Sequence, residues 1–259
     1  MNSMCDAIAA NLPGRMRTLI VVPTYEEAGN IAELLQRIRA AAPDVDVLVV
    51  DDNSPDGTAK LARALNDELG HIDVLVRKEK AGLGTAYRAG FAIGIERGYD
   101  VIVQMDADLS HDPASIPPLV GALTDNVGLS IGSRYVPGGH IPHWPWHRRF
   151  LSRYGNLYTR LALGLKARDL TSGFRGWKTS TLENIDYKTT NATGYLFQME
   201  MAYRVAQHGE QIAEVPITFT DRVRGTSKMS GAVIFEELTR VTWWGIRDRW
   251  RRLVHRTPA

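Results

Sequence analysis

Short β-branched apolar runs alternate with helical patterns about every 25 to 30 residues through the first half of this chain, which leaves few folds open. Leu19-Ile20-Val21-Val22 is fully apolar and closed by Pro23, and Val45 to Val50, Ile72 to Val76, Val101 to Met105 and Gly128 to Gly132 repeat the pattern. Between them Ile31, Leu34, Leu35 and Ile38 keep helical spacing, as do Leu61, Ala62, Leu65 and Leu69. A further helix is predicted from about Thr85 to Arg97, and Pro113 suits the first position of another. Uninterrupted apolar strands are buried on both faces, so the expectation is an α/β domain with helices covering a mostly parallel central sheet. After Gly132 the rhythm breaks. His140 to Tyr154 is rich in Pro, His, Trp and Arg, and the remainder predicts short strands with two helices, giving one domain with an irregular C-terminal third.

Composition narrows the function. The 259 residues carry a formal net charge of +2, so no overall field attracts nucleic acid, and no nucleic-acid partner is expected. A single cysteine, Cys5, excludes an intramolecular disulfide and suits a reducing compartment. No run of 18 apolar residues exists to span a bilayer, and residues 1–17 lack the pattern of a signal peptide.

The chemistry is written at the strand ends. Asp106-Ala107-Asp108 follows the strand Val101 to Met105, and open α/β sheets bind ligands at the carboxyl ends of their strands. Two carboxylates one residue apart suit Mg²⁺ or Mn²⁺ carrying a diphosphate. A second Asp-x-Asp, Asp44-Val45-Asp46, stands at a strand entrance and reads as a solvated turn. The first strand's exit offers Tyr25, Glu26 and Glu27, and the second ends in Asp51-Asp52. Tyr25, Glu27 and Asp52 supply a stacking face and acceptors for a nucleoside, whereas Glu26 reads as an acidic helix start. Gly82-Leu83-Gly84 with Gly90 has the wrong spacing and place for a dinucleotide loop and reads as a turn into a helix.

Pro23-Thr24-Tyr25-Glu26-Glu27, Asp51 to Thr58, Asp106-Ala107-Asp108-Leu109, Gly132-Ser133-Arg134-Tyr135, Thr171-Ser172-Gly173-Phe174-Arg175 and Arg222-x-x-Gly225-x-Ser227-Lys228 occur in that order. In this the chain resembles the inverting family-2 glycosyltransferases, and among them the polyprenol- or dolichol-phosphate mannose synthases, from about Thr18 to Lys228. The resemblance implies a GT-A (Rossmann-like) fold, GDP-mannose as donor and a polyprenyl monophosphate as acceptor. It implies that Pro23, Tyr25, Glu27 and Asp52 hold the nucleoside, and that Asp106, Ala107 and Asp108 meet the diphosphate, with Asp106 and Asp108 on the metal. In such relatives a Gln stands two residues after the second metal Asp. Here Ser110 and then His111 stand there, leaving Ser110, His111 or water as the third contact. Arg134, Arg222 and Lys228 are the expected phosphate cations, with Asp108, Arg134 and Lys228 the catalytic set. Of Arg148, Arg149 and Arg153, Arg153 is taken with Arg134 for the acceptor phosphate. Glu200 is a spare candidate base, for which a place on a core-facing helix or in the cleft wall is preferred. Alternatives are a glucosyltransferase using UDP-glucose, a nucleotidyltransferase and a non-catalytic membrane adaptor.

Five of the six tryptophans fall in two stretches, Trp144 with Trp146 and Trp243, Trp244 with Trp250. Trp243, Ile246, Trp250, Leu253 and Val254 mark one stripe of a basic amphipathic C-terminal helix, and six Arg stand against one Asp from Arg240 to Arg256. Such a helix lies on an anionic membrane surface; the other reading is a helix docked on the domain, its Arg stems covering apolar surface. The expected division is a glycosyltransferase domain over residues 18–229 and a membrane-proximal helix and tail over 230–259, in one compact unit. The expected place is peripheral, on the cytoplasmic face of the membrane, with an integral membrane protein as a further anchoring partner.

Overall fold

Seven strands form one sheet in the order β3-β2-β1-β4-β6-β5-β7. The computed structural model describes residues 16–190, 192, 194–221 and 231–254, with side chains of the last helix at 238–250 and 254. Chain order is β1 (Thr18–Thr24), α1 (Ile31–Ala41), β2 (Asp46–Asp51), α2 (Thr58–Leu69), β3 (Ile72–Val76), α3 (Leu83–Glu96), β4 (Val101–Gln104), α4 (Ile116–Gly121) and β5 (Val127–Ser133). Then follow α5 (Trp146–Leu163), β6 (Arg175–Lys178), α6 (Thr179–Asn184), α7 (Gly194–Gln207), β7 (Gln211–Pro216) and α8 (Gly231–Val254). Every strand pairing is parallel except those of β6, which runs against β4 and β5.

The apolar runs form the expected strands because both of their faces are covered. Leu19, Val21 and Ile102 pack into one core layer with Phe91 of α3, while Ile20, Val22 and Val103 pack into the other with Ile31 and Leu34 of α1. Two glycines bring α3 close to the sheet. A Cβ on Gly90 would lie 2.3 Å from a methyl of Val21, and one on Gly94 2.6 Å from Ile102. Gly82, at φ +92°, turns the chain into α3.

The structure corrects three expectations. His140 to Tyr154 is not irregular throughout, because α5 begins at Trp146 behind Pro145 and continues to Leu163. Its buried contacts are few, namely Asn156, Thr159 and Leu163, so an apolar stripe could not announce it. The C-terminal third accordingly holds three long helices, α5, α7 and α8, and the one-turn α6, rather than two. Asp44 stands exposed in the turn as expected, but Asp46 is half-buried in the strand. It opens β2, accepts from the Tyr99 hydroxyl at 2.8 Å and pairs with His71 at 2.8 Å.

The C-terminal helix docks on the domain, as one of the two readings has it. Val241 is buried, Trp244 stacks on Tyr203, and a Cβ on Gly245 would lie 2.3 Å from the carbonyl oxygen of Ala162 in α5. Trp243, Ile246, Trp250 and Val254 are exposed. So α8 docks on α5 by one face and presents an apolar stripe on another.

Candidate active site

The carboxyl edges of β1, β2 and β4 lie side by side because these strands are parallel neighbours. Each is followed by a turn containing a non-glycine residue at positive φ: Glu26 at 59°, Asn53 at 57° and Leu109 at 61°. Three such backbones along one sheet edge are the sort of local strain that folds retain where a ligand must be met.

Asp106 and Asp108 stand at this edge beyond β4. Asp108 is buried, and its Oδ1 accepts from the Ser110 amide at 3.1 Å and the Ser110 hydroxyl at 2.6 Å. Ser110 therefore braces Asp108 by the same hydroxyl that was considered for a third metal contact. Asp106 Oδ1 accepts from the Tyr87 hydroxyl at 3.0 Å. On its other side a Cβ added to Gly173 would come within 3.1 Å of Oδ2, so the glycine leaves room for the carboxylate. His111 is buried, stacks on Phe174 with ring centroids 5.0 Å apart, and its Nδ1 has no hydrogen-bond partner. Burial lowers its pKa against the opposing charges of Asp106 and Asp108, which keeps the imidazole neutral. A cavity of about 240 Å³ is lined by Asp106, Asp108, His111, Arg134, Arg148 and Ser172 among others. Among the described residues no three His, Cys, Asp or Glu groups form a ready-made metal cage. Two aspartates without a third such ligand fit a hard cation that completes its shell with water and phosphate oxygens.

At the β1 and β2 edges, Pro23 lies in β1 and Thr24 donates its hydroxyl to buried Asp51 at 2.8 Å. Lys80 places its ammonium 3.5 Å from the centroid of the Tyr25 ring. Asp52 pairs with Arg77 at 2.9 Å; burial raises its pKa, more than the Arg77 charge lowers it. Glu27 accepts from the Asn30 amide at 2.7 Å, and its own N–H donates to the Thr58 hydroxyl at 3.0 Å. Tyr25, Glu27 and Asp52 thus line the edge as expected. Arg77 and Lys80, both from the loop after β3, join them and were not foreseen.

Arg134 sits at the end of β5, and its fork is not open. Nε and Nη2 each donate to Asp169 at 2.7 Å, and Nη2 also donates to Thr171 at 2.6 Å. The backbone N–H of Arg134 adds a further bond to Asp169 at 2.9 Å. Glu214 on β7 in turn accepts from the Asp169 amide at 3.0 Å. The expected clamp is therefore a buried ion pair whose cation lines both the Asp106–Asp108 cavity and a second one of about 830 Å³. That second cavity runs along the start of α5, where Trp146, Arg149, Phe150, Arg153 and Tyr154 line it. Arg153 is placed there, whereas Arg148 faces the aspartate cavity, stacks 3.9 Å from the Trp144 centroid and donates to Asp221 at 2.9 Å.

Arg222 and Lys228 lie outside the described residues. Glu200 lies on α7, tied to Arg204 at 2.7 Å and accepting from the Ala192 amide at 3.3 Å, so its carboxylate is already engaged. The residues that sequence reasoning missed were within reach of its motifs. Asp169 stands two residues before Thr171-Ser172-Gly173, and Tyr87 closes the segment that opens with Gly82-Leu83-Gly84. Neither carried a signal for its partner, since those pairs are 35 and 19 residues apart in sequence.

Solved structures of similar shape include the glucosyl-3-phosphoglycerate synthase of Mycobacterium tuberculosis in complex with uridine diphosphate. It has a TM-score of 0.64 at 19% identity, covering 92% of this chain and 82% of that one. That likeness and the strand order agree with the GT-A fold. Among curated proteins, the chain is 47% identical over 238 residues to the polyprenol monophosphomannose synthase of Mycolicibacterium smegmatis, covering 90% of this chain and 88% of that protein. It is 48% identical over 238 residues to the undecaprenyl-phosphate mannosyltransferase of Micrococcus luteus, covering 92% and 98%. It is 36% identical over 243 residues to the dolichol-phosphate mannosyltransferase of Pyrococcus furiosus, covering 90% and 66%. The sequence pattern described as Glycosyl transferase family 2 matches residues 19–186, within which stand Tyr25, Asp52, Asp106, Asp108 and Arg134. With about two thirds of its length in that match and relatives near half identity over nine tenths of the chain, the chain belongs to glycosyl transferase family 2.

Proposed function

We propose that this protein is an inverting, metal-dependent mannosyltransferase that moves mannose from GDP-mannose to a polyprenyl monophosphate. The observation that carries the reading is the pair of half-buried Asp106 and buried Asp108 in a cavity sharing Arg134 with a larger cavity, lined by aromatic and basic side chains of α5. The named mannosyltransferase relatives support the sugar and the acceptor class.

Pro23, Tyr25, Glu27 and Asp52 hold the nucleoside, and Lys80 leaves the Tyr25 face as the base arrives. Asp106 and Asp108, with Ala107 between them, would hold Mg²⁺ or Mn²⁺ beside the diphosphate; an Mn²⁺-bound structure is known for the glucosyl-3-phosphoglycerate synthase neighbour. When bound, the cation acts as a Lewis acid on the departing diphosphate. Arg222 and Lys228 are assigned to the same phosphates, with Lys228 countering the charge that builds on the diphosphate as its bond to the sugar breaks. Arg134 and Arg153 meet the acceptor phosphate, and Arg148 joins them from the aspartate side. A phosphate monoester has a second pKa of roughly 6, so at neutral pH the acceptor is already a nucleophile. It needs orientation more than a protein base, which agrees with a Glu200 already spoken for. The transfer unit occupies residues 18–229 and the membrane-contacting part 230–259.

The lipid has to be met at a surface. No described helix is long and apolar enough to cross a membrane. Instead α5 exposes Trp146, Phe150, Tyr154, Leu157 and Leu161 at helical spacing, and α8, packed against it, exposes Trp243, Ile246 and Trp250. Two adjoining apolar stripes flanked by arginines suit an anionic cytoplasmic leaflet, with an integral membrane protein as a further anchor. Flotation with anionic vesicles should recover the protein, less so at high salt, and least after Trp146, Trp243 and Trp250 are replaced by Ser. Recovery unchanged by those replacements rejects the surface.

The test of the function itself is direct. Offered labelled GDP-mannose or UDP-glucose, a short polyprenyl phosphate and Mg²⁺ or Mn²⁺, the protein is expected to label the lipid from GDP-mannose. Labelling from UDP-glucose alone replaces the donor, and no labelling from either rejects the reading.

A further inference from the structure

Tyr87 is fully buried under the sheet edge, where a hydroxyl is costly unless it is bonded. Its ring is fixed by Phe197, nearly coplanar at 6.3 Å, and by Phe91 at 6.0 Å. Its hydroxyl reaches Asp106 Oδ1 at 3.0 Å, so the one polar atom of this aromatic stack ends on a carboxylate of the candidate metal pair. The hydroxyl also lies beside the Gln104 amide, and the Gln104 carbonyl accepts from the Trp177 indole N–H at 2.5 Å. Trp177, on β6, and Gln104, at the end of β4, are themselves fully buried. Trp177 thus fixes Gln104 close to the Tyr87 hydroxyl, and Tyr87 in turn reaches Asp106, across β6, β4 and α3.

We infer that Tyr87 is a positioning residue that presets Asp106 for cation binding, backed by Gln104 and Trp177. A carboxylate free to rotate must be ordered when the metal arrives, whereas one already gripped by a donor loses less freedom. Partners of this kind behind a metal ligand are worth about 10- to 100-fold in metal affinity. Gly173 fits the same device from the opposite side, since its missing Cβ leaves Asp106 the one place the hydroxyl selects. The inference rests on the metal assignment above and adds to it how the pair is held ready.

Tyr87→Phe removes the oxygen and keeps the ring, so folding is checked by its thermal midpoint. Free Mn²⁺ is then followed by electron paramagnetic resonance during titration into protein saturated with guanosine diphosphate. The Mn²⁺ dissociation constant of Tyr87→Phe is expected to rise about 10-fold or more while the thermal midpoint stays near wild type. Gln104→Met, one step further out, should shift it the same way by a smaller factor, and answers the question if the first variant does not fold. Folded variants that bind Mn²⁺ as wild type does overturn the inference and leave the metal-dependent reading standing. A wild-type protein that takes up no Mn²⁺ removes both.

Discussion

Asp108→Ala is expected to lose transfer by about 10³-fold or more while the protein remains folded. The carboxylate is one of two that hold the cation, and groups preorganised against transition-state charge in a closed site are worth on the order of 10² to 10³ each. Loss of the cation removes more than one such contact at once. The fold should survive because Asp108 lies in the bend after β4, outside every strand and helix, and braces its near neighbour Ser110. Circular dichroism and the thermal midpoint check folding; labelled lipid checks transfer. Retained turnover in a folded Asp108→Ala protein removes the metal assignment, and with it the proposed chemistry.

Asp169→Ala is expected to damage stability instead. Asp169 is fully buried and accepts three bonds from Arg134. Deleting it leaves a buried guanidinium without its anion, which costs about 3 to 5 kcal/mol. For a chain of this size that is a fall of about 10 °C in thermal midpoint. The pair itself is not expected to be a large net source of stability, because desolvating both ions offsets most of their attraction. A double replacement, Arg134→Met with Asp169→Leu, should therefore regain much of the lost midpoint and still transfer no sugar. Recovery of activity along with stability would show that Arg134 serves only the fold.

The same pair sets an acid limit. Burial pushes the Asp169 carboxyl up, but the charge and hydrogen bonds of Arg134 outweigh it and hold the pKa below 3.8. A folded pKa below the unfolded one contributes stability that is complete above the unfolded value and disappears as pH falls through the folded one. This contribution is thus intact at neutral pH and is given up only in strong acid.

The strands and the first three helices were legible because burial on both faces of a parallel sheet demands uninterrupted apolar runs. The position of Asp106-Ala107-Asp108 was legible for the same reason, since a strand's end can be read from where its apolar run stops. Asp44-Val45-Asp46 shows the limit. The pattern marked the strand entrance, but His71 and Tyr99, which come 25 and 53 residues after Asp46, decide what Asp46 does there. Helix α5 escaped because its apolar and aromatic side chains lie on the exposed face while Asn156 and Thr159 are among its few buried ones, so its stripe does not mark the inside.

What the amino-acid order determined by itself is the α/β architecture, the edge on which acidic residues gather and the motif series that marks the family. What only the tertiary structure decided is which charges meet: Asp169 fills the fork of Arg134, Tyr87 grips Asp106, and Arg148 rather than Arg153 turns toward the aspartates. Local periodicity reports the solvent exposure of each segment, because hydrophobic burial is non-directional and roughly additive in area. Ion pairs and hydrogen bonds depend instead on distance and direction between atoms far apart in the chain, which exist only once the sheet has brought its edges together.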